Sequence, residues 1–366
     1  MQSQPIPSLK AFKQEALELL MQLIATPSFS GEEEQAAAIL EQFFHHHDIP
    51  VHRAGNNVWV RSEPFEPERP TLLLNSHIDT VQPGAGWSRS PFEPVLEEGK
   101  LYGLGSNDAG GCLVSLAVTF LHYYKLKSPL HFNIIFAATA EEESSGPGGI
   151  ERVLPELGPV DVAIVGEPTG MAMAVAEKGL VVLDCVARGR TGHAARDTGI
   201  NAIEIALQDI QWLRTYRFPR RSELLGPVRM TVTMIQAGIQ HNIIPDLCTF
   251  TVDVRTTDAY SNEEVVDTIR RHLRSEVTPR SLRLQPSKID LNHPLVQAAK
   301  AMGLRLFGSP TTSDQALIPA PSVKIGPGRS ERSHTPDEFI YVDELEQGIE
   351  GYIQLLDQFN ENMRAS

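Results

Sequence analysis

Five acidic or imidazole groups stand just beyond apolar runs of this chain, and together they have the chemistry of a metal-ion pair. TLLLNS runs into His77-Ile78-Asp79, HFNIIFAATA into Glu141-Glu142-Glu143, and VDVAIVG into Glu167-Pro168-Thr169. PSVKIG leads through a glycine-rich loop to His334, and Asp108 precedes a helix in LYGLGSNDAGG. Two histidines and three carboxylates suit zinc or a similar divalent ion. A carboxylate has two oxygens and can bridge two ions. Two ions that share one carboxylate need two more protein ligands each. Asp108 as the bridge, with His77, Glu143, Glu167 and His334, supplies that count. Asp79 lies two residues after His77, on the same side of a continuing strand, where it can accept a hydrogen bond from the imidazole and fix its tautomer. Singly, each motif has an ordinary reading: a surface His-x-Asp pair, acids at a solvated helix start, a Glu-Pro turn, a histidine in a polar loop. Those readings do not explain why four strand ends carry such groups at once.

The elements that must position these groups alternate in type. SLKAFKQEALELLMQLI and GEEEQAAAIL have the spacing of amphipathic helices. Residues 51–61 and 71–75 read as strands, the second buried on both faces. The pair Gly110-Gly111 opens the apolar helix CLVSLAVTFLHYY, and the runs HFNIIFAAT and VDVAIVG follow as further strands. Short apolar strands separated by helices predict a mixed or mostly parallel α/β sheet with helices on both faces. In such sheets ligands bind beyond the carboxyl ends of the strands, which is where the five groups fall. Near residue 173 the character changes. Strand 178–188, helix 200–213, strand 228–236, strand 247–256, helix 262–275 and strand 281–288 follow in the split β-α-β, ferredoxin-like order. PSVKIG and VDELEQGIEGYIQLLDQF, with Leu345, Ile349, Tyr352, Leu356 and Phe359 on one stripe, then return to the first pattern. The expected organisation is a metal-binding catalytic domain in two parts, 1–173 and 289–366, with a second domain, 174–288, inserted between them.

Composition narrows the class. A chain of 366 residues exceeds what one core usually supports. A formal net charge of −14 argues against nucleic acid or an anionic membrane as partner, and part of the excess belongs to any site that gathers carboxylates around cations. No apolar run has the length of a membrane span, and the start MQSQPIPSLK lacks the pattern of a secretion signal. The 3 cysteines, Cys112, Cys185 and Cys248, are scattered, so a cytoplasmic, reducing location is expected, with Cys112 a small buried residue. His45, His46 and His47 end a helix, where consecutive side chains diverge and cannot share an ion; they read as a solvated end. Neither a Gly-x-Ser-x-Gly elbow nor a His-Glu-x-x-His helix is present.

With these motifs in this order, the chain resembles the dinuclear zinc exopeptidases and deacylases over nearly its whole length. SHIDTV, GLGSNDAGG, ATAEEESSG, VGEPT and SERSHTPDE carry the resemblance in the outer parts, and GRTGHAA and HNIIPDLCTFTVDVR carry it in the insert. The resemblance implies two divalent ions, zinc first, with cobalt or manganese as alternatives. It makes His77 and Glu167 ligands of one ion, Glu143 and His334 ligands of the other, and Asp108 the bridge. Glu142 matches the general base and Asp79 the supporting carboxylate. His193 matches a histidine of the inserted lid that reaches the partner subunit's site in a homodimer, and Asn242 and Arg255 match lid residues that contact the substrate carboxylate. The chain departs from the pattern at Leu104, where a basic residue is usual, at Ala109, where lysine is frequent, and at Glu141, where aspartate is common. VGEPT, AEKGL, GSPTTSDQA and KIGPG resemble most the branch that removes acetyl, or possibly succinyl, from ornithine or citrulline in arginine synthesis. An exopeptidase on the same ligands is the alternative, and a dimeric protein that keeps the fold without the chemistry is a third.

Overall fold

Runs of four to seven apolar residues are too short to bury a helix and too apolar to stay in solvent, so they become central strands. The computed structural model describes residues 8–127, 129–196 and 198–365. The opening residues 1–7, on which part of the reading of the N-terminus rests, lie outside them. Among the described residues no helix is long and apolar enough to cross a membrane. The chain forms two units. The first runs up to Val175 and takes in Ile289–Phe307 and the residues from Ser313 onward; the second comprises Ala176–Lys288 and Gly308–Thr312.

The first unit is built on a mixed sheet in the order His52–Ala54, Asn57–Arg61, Asn133–Thr139, Thr71–His77, Val162–Val165, Ser322–Lys324, Met173–Glu177. The contacts among Asn133–Thr139, Thr71–His77, Val162–Val165 and Ser322–Lys324 are parallel, and the flanking pairs are antiparallel. Thr71–His77 and Asn133–Thr139 are buried throughout, as strands covered on both faces must be. One face packs on helix Gly111–Leu126, which meets Leu9–Ile24 and the long helix Val342–Ala365. On the opposite face Leu73, Ile135, Ala137 and Val165 meet Trp59 and the helix Ile150–Leu157. The stripe Leu345, Ile349, Tyr352, Leu356 and Phe359 is buried. Helix Glu34–His46 closes the N-terminal side. His45 and His46 are exposed there, but His47 is not solvated as expected: its Nε2 lies 2.9 Å from Glu15.

The second unit is a four-stranded antiparallel sheet in the order Arg229–Ala237, Leu247–Thr256, Gly179–Arg188, Glu276–Pro279. Gly179–Arg188 and Leu247–Thr256 alternate buried and part-buried residues, the period of a sheet packed on one side. Val181, Leu183, Cys185, Phe250, Val252 and Val254 point into a core shared with helices Ala202–Thr215 and Asn262–His272. A Ser261 capping box starts the second helix. The strand expected over 281–288 is misplaced by the sequence reading. Glu276–Pro279 supplies the edge, and of 281–288 only Ser287–Lys288 is in strand, against Glu177 and Ala176. Pro286 lacks the N–H donor that a continuous strand over 281–288 needs.

Gly326, beyond strand Ser322–Lys324, lies where the first unit is closely packed. A Cβ there would lie 2.5 Å from Cys112 Sγ, 2.7 Å from the Glu167 carbonyl and 2.8 Å from the Tyr352 hydroxyl. Gly326→Ala is expected to lower unfolding free energy by about 1–3 kcal/mol, the usual range for overpacking. Gly84→Ala, with no atom within 4 Å of the added carbon, should stay within about 0.5 kcal/mol of the parent. Urea denaturation of the two variants checks this.

Candidate metal centre

The parallel strands end together, and their ends carry the acids and imidazoles to one place. His77 is the last residue of its strand and is almost fully buried, with 1% of its side chain exposed. Its Nδ1 lies 2.9 Å from the main-chain carbonyl of Asp79, which makes Nδ1 the donor and leaves Nε2 to face the site. Nε2 is 3.5 Å from Asp108 Oδ1, 3.8 Å from Glu167 Oε1 and 4.0 Å from Glu142 Oε2. On the other side His334 Nε2 is 3.0 Å from Glu143 Oε1 and 3.6 Å from Asp108 Oδ2. The two oxygens of Asp108 therefore face two different imidazoles. Separations of 3.0–3.8 Å are those of ligand atoms arranged around an ion about 2.0–2.2 Å from each. His77, Glu142 and Glu167, and likewise His77, Asp108 and Glu143, each gather ligand atoms closely enough to hold one ion.

Asp79 plays a wider part than its spacing implied. Its carboxylate sits 3.3 Å from His77 Nδ1, farther than its own carbonyl does. Its oxygens accept the peptide N–H groups of Glu142 and Glu143, both at 3.0 Å, and the Ser30 hydroxyl at 2.6 Å. Asp79 thus ties the end of one strand to the turn after its neighbour. The three consecutive glutamates part company in that turn. Glu141 adopts a left-handed backbone, φ 54°, and turns its carboxylate back to accept from Gly148 N–H at 3.0 Å. Glu142 and Glu143 are left to face the imidazoles. His334 is left-handed too, φ 59°. Non-glycine residues held in that region concentrate at functional sites.

The electrostatics show why a cation belongs here. Burial raises Glu142 well above the ordinary carboxylate range, with Glu167 and Asp314 adding to it and His77 opposing. Burial and the charge of Asp108 push Glu167 up to about 8. Burial alone would lower His77, but contacts with Asp108 and Asp79 and the charges of Glu142 and Glu167 outweigh it and hold the imidazole well above its usual value. Its hydrogen bond with Glu143 takes His334 to about 9. Without metal, the cluster can relieve its crowded negative charge only by holding protons. Divalent ions would replace those protons, so the donor set fits two of them.

Three buried acids that the sequence reading missed hold this frame. Glu33 accepts from Gly31 and Glu141 N–H and from the Asn56 amide. Asp314 accepts from the Thr139 hydroxyl at 2.7 Å, and burial raises it to about 6. Glu338 accepts the N–H groups of Asn107 and Asp108. Only Glu338 carried a local signal, four residues after His334. Gly105 precedes the Asp108 turn with φ 76°, and a side chain there would meet Thr80 at 2.7 Å.

The remaining expected residues lie in the second unit. Gly192–His193 pairs with Ile243–Ile244, so His193 and Asn242 are neighbours, with Ala194 N–H donating to the Asn242 carbonyl at 3.0 Å. His193 is exposed, and its Nδ1 accepts from Ala195 N–H at 3.1 Å, which leaves Nε2 to solvent. Among the described residues Asn242 Oδ1 is buried without a partner. Arg255 lays its guanidinium on Asp253 at 2.8 and 3.0 Å and reaches Thr312 Oγ1 at 3.3 Å. Arg229 stands directly opposite Arg255, on the same face of the sheet. Lys178 Nζ donates to the Pro227 carbonyl at 2.8 Å, two residues before Arg229, so three cations share this corner with Asp253.

Comparison with known proteins bears on the family and the fold. Peptidase family M20/M25/M40 matches residues 73–358. The acetylornithine deacetylase of Proteus mirabilis (strain HI4320) is 27% identical over 94% of this chain and 96% of its own length. That of Shigella sonnei (strain Ss046) is 28% identical over 94% and 97%. Among solved structures, a tripeptidase from Staphylococcus aureus superposes with a TM-score of 0.78 at 22% identity, covering 95% of this chain and 99% of its own. A dinuclear metal-binding peptidase of Bacillus subtilis superposes at 0.74 and 18%, covering 95% and 98%. Human carnosine dipeptidase 1 superposes at 0.68 and 14%, covering 96% and 98%. These structural likenesses bear on the fold.

Zinc titrated into chelator-treated protein should saturate at about two ions per chain, the two-metal stoichiometry. Asp108→Asn should cut the tightly held zinc to about one ion or fewer, because the amide nitrogen offers no lone pair to the second imidazole's side. Elemental analysis after equilibrium dialysis measures both.

Proposed function

The chain belongs to peptidase family M20/M25/M40 and is a metal-dependent hydrolase of the peptidase and amidohydrolase kind, and from that premise we propose that it removes an N-acyl group, acetyl or succinyl, from ornithine or citrulline in arginine synthesis. The observation that carries the chemistry is Asp108, split between His77 and His334, with Glu142 beside the pair. The two deacetylase relatives, alike over almost the whole chain, support the substrate class. The peptidases among the fold neighbours support the second reading, an exopeptidase with the same centre.

In this reading His77 and Glu167 would hold one divalent ion and Glu143 and His334 the other, with Asp108 shared between them, zinc before cobalt or manganese. When bound, the ions would make a water more acidic, toward a pKa near ~7, and polarise the acyl carbonyl. Glu142 takes the proton of the attacking water and passes it to the leaving amine. Asp79 holds the main chain of Glu142 and Glu143 fixed while this happens. His193 of the partner subunit donates to the developing oxyanion. Arg255 and Asn242 take the substrate's α-carboxylate, a task for which a guanidinium fork is better shaped than an ammonium. The positive corner of Lys178, Arg229 and Arg255 favours an anionic substrate.

A homodimer through the second unit follows from the same reading. Arg229–Ala237 is an edge strand with Met234 63% and Ile235 54% exposed, and Ile239 beyond it is 89% exposed. Pairing with a second copy would cover an edge that a lone chain leaves open. A cytoplasmic location accords with three buried, unpaired cysteines.

Steady-state kinetics on acetyl-ornithine, succinyl-ornithine, acetyl-citrulline and a set of dipeptides decides the substrate. An acyl-ornithine or acyl-citrulline should exceed every dipeptide in kcat/KM by at least about tenfold, or ~1.4 kcal/mol of transition-state binding; a dipeptide at the top of the panel establishes the exopeptidase instead. On the best substrate, Glu142→Gln should keep its zinc and lose about 10²-fold to 10⁴-fold in kcat. Glu143→Gln should lose zinc. The reverse pattern would exchange the two roles.

The dimer is tested by complementation. Glu142→Ala and His193→Ala homodimers should each be nearly inactive. After subunit exchange in an equal mixture, about half the dimers are mixed with one intact site each, so roughly a quarter of all sites should recover. Mixed dimers shown by mass spectrometry to have formed, yet without activity, would confine His193 to its own chain or remove it from the reaction.

A further inference from the structure

Glu338 has no part in the steps above, yet it is only 1% exposed. Among the described residues it forms no ion pair with a lysine or arginine. Its partners are main-chain groups: Oε1 accepts the N–H of Asn107 at 2.8 Å and of Asp108 at 2.9 Å, and its own carbonyl accepts from Gly103 at 3.0 Å. A second stitch lies alongside. Asn107 Oδ1 accepts the Arg329 N–H at 2.8 Å, and Asn107 Nδ2 donates to the Arg329 carbonyl at 3.0 Å. The turn that carries Asp108 is thereby sewn to the segment that carries His334. Burying a carboxylate away from any basic side chain is costly, and packing alone would be met by an apolar side chain of the same size.

We propose that Glu338 is a positioning residue for the metal pair, holding the Asp108 main chain where its two carboxylate oxygens serve two ions at once. The proposal rests on the two-ion reading of the centre. Asp108 Oδ1 is 3.5 Å from His77 Nε2 and Oδ2 is 3.6 Å from His334 Nε2, so the bridge is almost evenly shared. Metal–ligand distances tolerate only about 0.2 Å. A main-chain shift of even half an ångström toward one imidazole would spoil the other side. Hydrogen bonds to two successive N–H groups remove that freedom.

Two variants separate reach from charge. Glu338→Asp keeps the charge and draws the oxygen back by one methylene. Glu338→Gln keeps the reach and drops the charge. The readouts are zinc affinity by equilibrium dialysis and, with manganese, the spin-coupled signal of a bridged pair in electron paramagnetic resonance. Wild type should hold about two ions. Glu338→Asp should bind the weaker ion about 10-fold to 100-fold less tightly, the usual cost of losing a residue that orients a ligand, and should lose the coupled signal. Glu338→Gln should remain nearer to wild type on both. Wild-type affinity and coupling in Glu338→Asp overturn the proposal, as does Glu338→Gln failing at least as badly as Glu338→Asp, since charge and not reach would then matter. Lower unfolding midpoints with unchanged zinc affinity in both variants reduce Glu338 to packing and overturn it too. Should Glu338→Asp not fold, Glu338→Gln alone decides: a retained coupled pair supports the proposal and a lost one overturns it. A wild type that binds no pair of ions brings down the two-ion reading itself, a result distinct from all of these.

Discussion

Negative charge crowded at the end of a parallel sheet is the constraint around which the first unit is arranged. Asp79, Asp108, Glu142, Glu143 and Glu167 converge on two imidazoles in a region where burial already penalises charge. Such a cluster is unstable as an assembly of bare anions, and the chain counters it with main-chain dipoles. N–H groups of residues 142 and 143 point at Asp79, those of 107 and 108 at Glu338, and those of 31 and 141 at Glu33. These bonds steady the supporting carboxylates, while Asp108 and Glu143 face the two imidazoles, where divalent cations would stand between acid and histidine.

The strands explain how residues far apart in sequence reach one point. Parallel neighbours end at the same level, so His77, at the end of one strand, lies beside Thr139, at the end of the next, and the Glu142-Glu143 turn follows at once. Glu167 comes two residues after Val162–Val165, and the loop after Ser322–Lys324 brings His334 back over the bridge. Rigid strands set the positions of three groups; a hydrogen-bonded loop sets that of His334.

Much of this was legible in the chain. Apolar runs followed directly by acids or histidines marked the strands and the site together, because one period of two governs both burial and the direction of the terminal side chain. The gathering of His77, Asp108, Glu142, Glu143, Glu167 and His334 needed only that the runs be parallel. Other features escaped. Glu33 and Asp314 lie in polar stretches that look like ordinary loops, and their burial depends on chain segments far away in sequence. The final strand of the second unit went astray because SLRLQ alternates as a strand does, whereas hydrogen bonding along Gly179–Arg188 selects Glu276–Pro279. His47 looked solvated because its partner Glu15 belongs to another helix. In each case the sequence carries the local pattern, and a distant partner decides the outcome.

The two imidazoles differ sharply in exposure: the His77 side chain keeps 1% of its surface and the His334 side chain 52%. Two ions held by them would not be kinetic equals. His77 is held by a strand end in the centre of the sheet and His334 by a loop, so an ion beside His334 would be the one more open to exchange with its surroundings.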